Sequence, residues 1–170
     1  MRPLFVSLCA AVALYAFPVS LETLQCDFNQ TITDEQNVSL VYSGNLHAKR
    51  PALAHWHYSK PVIKDIFIED RQVTVVEPEL EQAIIKEIGD DIDIIAILTH
   101  AKARSDTLYE ARYHDRSYLI YLNGTTLERI VYDDDFGHST VIRFFNVQQN
   151  APIESELLKA HIPKGFDLIR

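Results

Sequence analysis

His55 and His57 stand two residues apart in "LAHWHY", and on a strand that spacing puts both imidazoles on one face, where they could ligate a cation. A protein metal site takes at least a third side-chain ligand. The sequence identifies none, so the pair reads as exposed strand histidines opposite Trp56, and neither metal nor cofactor is expected. Asp133-Asp134-Asp135, ahead of Phe136-Gly137-His138, gathers carboxylates but lacks the spaced ligands of a calcium loop, and reads as a solvated hairpin tip. There is no G-x-S-x-G, no H-E-x-x-H and no phosphate-binding glycine loop, and 5 glycines in the chain leave little backbone for one. A hydrolase using Asp133–Asp135 or the two histidines is the third-ranked reading, and no enzymatic activity is expected.

The chain has 170 residues, a formal net charge of −8 and 47% hydrophobic residues, which fits one domain with a sizeable core. The acidic balance excludes nucleic acid and anionic membrane surfaces as main partners, since both repel it. Residues 1–16 read as a signal peptide, with cleavage as late as 20: Arg2 precedes an apolar run, Leu4 to Ala16, that is shorter than the ~20 residues a membrane-spanning helix needs. The mature domain is then 17–170. Cys9 leaves with the leader, so Cys26 is a lone thiol read as a small core residue, and no disulfide supports the fold.

Period-two alternation dominates the mature chain. Strands are expected at Val38–Tyr42, Ala52–Tyr58, Val62–Ile68 and Val73–Glu77, then at Leu108–Tyr113, Tyr118–Leu122, Leu127–Tyr132 and Ser139–Gln148. The connections are short, and Asn123-Gly124 is a strong hairpin signal, so neighbouring strands should be antiparallel. The alternation carried back from Tyr58 places Arg50, Ala54, Trp56 and Tyr58 on one face. The stretch "LETLQCDFNQTIT" at 21–33 is expected to give a short helix followed by the first strand. Between the strand groups, "EPELEQAIIKEIGDDIDIIAILTHAKA" reads as two helices. Pro78 opens the first, with Leu80, Ile84 and Ile88 at helical spacing, and Asp91 or Asp93 caps the second. That second helix is apolar around much of its surface (Ile92, Ile94, Ile95, Ile97, Leu98), more than a helix lying on one sheet requires. It is either sandwiched or covers something apolar.

"FNQTI" at 28–32, "GNLHAKRPALAHWHYSKP" at 44–61, "VVEPELEQAII" at 75–85 and "IPKGFDLI" at 162–169 occur in the order and spacing of one family. In these segments the chain resembles LolA, the periplasmic carriers of outer-membrane lipoproteins in Gram-negative bacteria. The resemblance implies a mainly β fold with some α: an incomplete antiparallel β-barrel, or half-barrel, covered by a lid of short helices. It implies an acyl-chain cavity lined by Ala54, Trp56, Tyr58, Ile66 and Ile68, a lid bearing Leu80, Ile84, Ile88, Ile95 and Leu98, and a latch at Arg50. The partners it implies are acylated lipoproteins, an inner-membrane lipoprotein-releasing ABC transporter and an outer-membrane acceptor, met by a periplasmic monomer. The alternative is a half-barrel sensing or interaction module, or a general lipid-binding protein without lipoprotein cargo. Two departures from the family pattern are Ala54, where an aromatic is usual, and a short segment before Phe28.

Overall fold

The computed structural model describes residues 20–87, 93–134 and 136–170. The leader reading over residues 1–16, and the lid reading at Ile88, fall outside these residues. Strands β1 (Thr23–Thr33), β2 (Ser39–Lys49), β3 (Leu53–Lys60), β4 (Lys64–Glu69), β5 (Gln72–Glu77) and β6 (Gln82–Glu87) form the first half. Helix α1 (Ile94–Thr99) follows, then β7 (Lys102–Ala103), β8 (Leu108–Tyr113), β9 (Arg116–Asn123), β10 (Thr126–Asp133), β11 (Ser139–Gln149) and β12 (Asp167–Ile169). All twelve strands make one sheet in the order β12-β6-β5-β4-β3-β2-β1-β11-β10-β9-β8-β7. Its two end strands are not paired with each other, so the barrel is open, as the half-barrel expectation holds. Every pairing is antiparallel except the last, where β12 runs parallel to β6.

Local chemistry explains the tight hairpins. Gly124 takes φ +62° after Asn123 and brings Thr126 opposite Asn123. His114 and Asp115, both at positive φ, turn β8 into β9 with Tyr113 opposite Arg116. Gly44 serves a different need. The β2–β3 register shifts between Ser43 and Gly44, and a Cβ at residue 44 would collide with the backbone carbonyl of His57. Only glycine allows the two strands to approach there.

Two helical expectations fail. The stretch 21–33 holds no helix: residues 21 and 22 lead straight into β1 at Thr23. The first helix of the mid-chain segment is a strand: Pro78–Leu80 make a single 3₁₀ turn, Glu81 turns at φ +50°, and Gln82–Glu87 pair along the whole of β5. The run Ala83-Ile84-Ile85 fits either element by spacing alone. The open edge of β5 decides it, because a strand there satisfies a row of backbone donors and acceptors that a helix would leave unpaired.

Register aligns the inward side chains in rows across the sheet. One row runs Cys26–Leu46–Trp56–Ile66–Val75–Ile84 and another Leu24–Ala48–Ala54–Ile68–Val73. On the other wing Gln30–Ile142–Ile130–Ile120–Tyr109 continue the same face. Helix α1 touches both β2 and β8, which are five strand positions apart. On a flat sheet that separation would be about 24 Å, more than twice a helix diameter, so the sheet must curl around α1. The inner face is concave and holds the main core.

The outer face of the β3–β6 wing has its own cover. After β11 the chain crosses β2, β3 and β4 in a 3₁₀ turn at Ser155–Leu158 before reaching the far edge as β12. Ala160, Ile162 and Phe166 pack on Phe67, Val76 and Ala83, and the Ala160 amide donates to Glu69 Oε1 at 3.1 Å. Replacing Gly44 by alanine should cost about 2–3 kcal/mol, the range of an over-packed interior site. Urea denaturation checks this, and an unchanged midpoint would mean that the β2–β3 bulge can absorb a methyl group.

Candidate functional site

The site grows from four side chains. Ile94, Ile95, Ile97 and Leu98 of α1 are each no more than 2% exposed, although the helix is only six residues long. At about 100° per residue these positions span an arc of roughly 160°, far wider than the stripe of a helix resting on a surface. The helix is therefore sunk into the concavity. Its polar groups are satisfied without the sheet. Asp93, buried at the N-terminus, accepts from the Ala96 amide through Oδ1 at 3.0 Å. Thr99 Oγ1 donates to the Ile95 carbonyl and His100 Nδ1 to that of Ala96, both at 2.7 Å. Among the described residues, no hydrogen bond ties α1 to a strand, and apolar packing seats it.

Beneath lies an aromatic floor. Phe28 meets Trp56 and Tyr58 edge-on, each at 5.1 Å between ring centres. Tyr58 Oη donates to Gln30 Oε1 at 2.9 Å, deep in the core. Burial pushes the Tyr58 phenol well above its ordinary range and raises Tyr132 to about 12. Burial likewise raises the Cys26 thiol to about 12, so these groups stay neutral at physiological pH. At one end of the face Lys64 lies 4.5 Å from the centre of the Tyr58 ring and 5.4 Å from that of Tyr42, and burial lowers its pKa. The surface is largely apolar, with Lys64 over Tyr58 and Arg116 over Tyr132, the latter 5.7 Å from the ring centre.

The structure brings Ala54, Trp56, Tyr58, Ile66 and Ile68 onto this one face, with Trp56 only 4% exposed. Ile95 and Leu98 face them from α1. Two expected lid residues are elsewhere: Ile84 belongs to β6, in the row of Trp56 and Ile66, and is lining; Leu80 sits in the turn before it, 63% exposed. Arg50 is also corrected. It lies in the turn between Lys49 and Leu53, where strand alternation no longer applies, and its backbone N–H donates to the Glu22 carbonyl at 2.9 Å. The side chain is exposed and makes no hydrogen bond or ion pair with a described residue. Sequence reasoning passed over Phe28, Tyr118, Ile120, Ile130 and Ile142, which complete the floor. Alternation in "SYLIYL" and "LERIVY" carried that signal.

The histidine pair needs a correction as well. Asp65 of β4 stands opposite His57, and His55 Nε2 and His57 Nδ1 both lie 2.7 Å from its Oδ1. The third ligand-capable group that the sequence did not identify is present, on the outer face.

Known proteins match this chain along most of its length. The family described as "Outer membrane lipoprotein carrier protein LolA" matches residues 19–122, β1 through most of β9. The chain belongs to the LolA family. An outer-membrane lipoprotein carrier protein of Wolinella succinogenes is 36% identical over 94% of this chain and 93% of its own length. One of Campylobacter jejuni is 32% identical over 92% of each chain. A LolA superfamily protein from Nitrosomonas europaea has the same fold at TM-score 0.52 and 11% identity, covering 85% of this chain and 93% of its own. That likeness extends to the fold of the sheet.

Cys26 reports whether α1 can leave. In a Cys9→Ser background it is the chain's only thiol, buried and held protonated. A disulfide reagent at pH 8 should label it slowly, and Ile97→Glu should speed labelling at least tenfold while the far-UV spectrum holds. Equal rates would mean that α1 does not shield the inner face.

Proposed function

We propose that this protein carries the acyl chains of lipoproteins through the periplasm, taking cargo from an inner-membrane transporter and giving it up to an outer-membrane acceptor, as a monomer that makes and breaks no covalent bond. The observation that carries the reading is the seating of α1: four apolar side chains sunk over an aromatic floor, with no hydrogen bond from the helix to a strand among the described residues. The relatives, outer-membrane lipoprotein carrier proteins by name, support the same cargo. Among the described residues no helix is long and apolar enough to cross a membrane.

Magnitudes favour exchange over tight capture. Burying the four α1 side chains is worth roughly 6–12 kcal/mol at 1.5–3 kcal/mol each. One acyl chain of about fifteen carbons offers ~12 kcal/mol at 0.8 kcal/mol per CH₂. A chain that displaces α1 therefore exchanges one apolar filling for another of similar value, and net affinity stays low enough for release. Among the described residues α1 makes no hydrogen bond to a strand, so its displacement costs mainly apolar contact. Trp56, Tyr58, Ala54, Ile66, Ile68 and Ile84 are proposed as the lining, with Ile95 and Leu98 as the cover.

Purification from cell envelopes should recover lipid-modified proteins with the parent chain and none with Leu98→Glu. Recovery of none with the parent, together with no uptake of a fluorescent fatty acid, would remove the carrier reading; fatty-acid uptake alone would make this a general lipid-binding protein. Arg50→Leu separates a latch from a bystander. With its guanidinium unbonded to described residues, the expected change in probe uptake is less than twofold, and a large rise would restore the latch.

A further inference from the structure

The outer face of β3 and β4 carries a cluster that the acyl-chain site does not use. His55 and His57 point away from the concavity, and Asp65 across the ladder reaches both through one oxygen. The three ligand atoms lie within 4.8 Å of one another. We propose that His55, His57 and Asp65 form a binding site for a divalent transition-metal ion of the imidazole-preferring kind, Zn²⁺ foremost, with its remaining coordination open to solvent.

Several features favour coordination over a plain ion pair. Two neutral nitrogens and a carboxylate are the donor set that zinc takes at ~2.0–2.2 Å, which places neighbouring ligand atoms roughly 3.4 Å apart in a tetrahedron. The present 2.7 Å contacts to Asp65 need only small side-chain rotations to open to that spacing. The scaffold is rigid where it matters, because His57 and Asp65 are directly paired ladder residues and the His55 ring stacks on Phe67 at 4.1 Å. Access is also provided: the side chains of His55, His57 and Asp65 are 15%, 35% and 22% exposed. Each imidazole now presents an N–H to Asp65, and each must present a bare nitrogen to a metal. For His57 the proton can move to the other, outer nitrogen. For His55 it can move to Nδ1, which is buried and unpartnered already, so the count of unsatisfied atoms does not rise.

The site would cross-link β3 to β4, the strands whose inner faces carry Trp56, Tyr58, Ile66 and Ile68. It does not depend on the lipid-carrier reading, and its test is independent of cargo.

Metal-stripped protein is titrated with Zn²⁺ by calorimetry, and with Co²⁺ by visible absorption. The expected result is one ion per chain, a d–d band of low-coordinate Co²⁺, and a Tm raised by roughly 5–10 °C at a hundredfold excess over Kd. His57→Ala and Asp65→Asn should each weaken Zn²⁺ binding at least tenfold, while His161→Ala, an exposed histidine on the C-terminal tail, leaves it unchanged. His57 is partly exposed, so that variant folds without metal, and its far-UV spectrum in chelator verifies this. No stoichiometric binding, binding untouched by His57→Ala, or loss on His161→Ala instead would each overturn the site.

Discussion

An open sheet with one apolar face has no second sheet to cover it, and that constraint governs this molecule. The inner face of the sheet must be filled by something, and among the described residues Ile94, Ile95, Ile97 and Leu98 of α1 sink into it. The sheet curls because its two wings close on the same short helix. The floor is aromatic because Phe28, Trp56 and Tyr58 fill a wide concavity that smaller side chains would leave empty. Among the described residues the helix makes no hydrogen bond to a strand, and the filling is held chiefly by water's rejection of it.

A core residue and a binding residue are usually distinguishable, since one is buried against the chain and the other faces a ligand. Here the distinction collapses. Trp56 is as buried as any core tryptophan, yet α1 above it makes no hydrogen bond to a strand among the described residues. The outer face behaves in the ordinary way. The tail from 150 onward packs Ile162 and Phe166 onto Phe67 and Val76, and β12 closes the far edge by pairing with β6. One side of the sheet is covered by the C-terminal tail and the other by α1.

Much of this was legible in the sequence. The strands from Leu108 to Gln148 follow from alternation and from turns whose residues tolerate positive φ, and the second mid-chain helix from its apolar excess and its Asp93 cap. Trp56 and Tyr58 were found because β3 is regular. What was lost was lost for definite reasons. Ala83-Ile84-Ile85 has no period of its own, and only the unpaired edge of β5 makes it a strand. Arg50 was placed by carrying the alternation of β3 one turn too far. Asp65 was missed as a partner of the histidines because register between strands is set by packing, and one sequence does not state it.

Trp56 is the chain's only tryptophan, so its emission reports on one point of the inner face. The most direct test is to titrate the protein with a lipoprotein whose acyl chains carry bromine, a contact quencher, and to follow that emission. If acyl chains replace α1 on the aromatic floor, at least half of the Trp56 signal should be lost at saturation, with unbrominated lipoprotein causing no such loss. A complex that forms with the emission unquenched would place the cargo elsewhere and contradict the account.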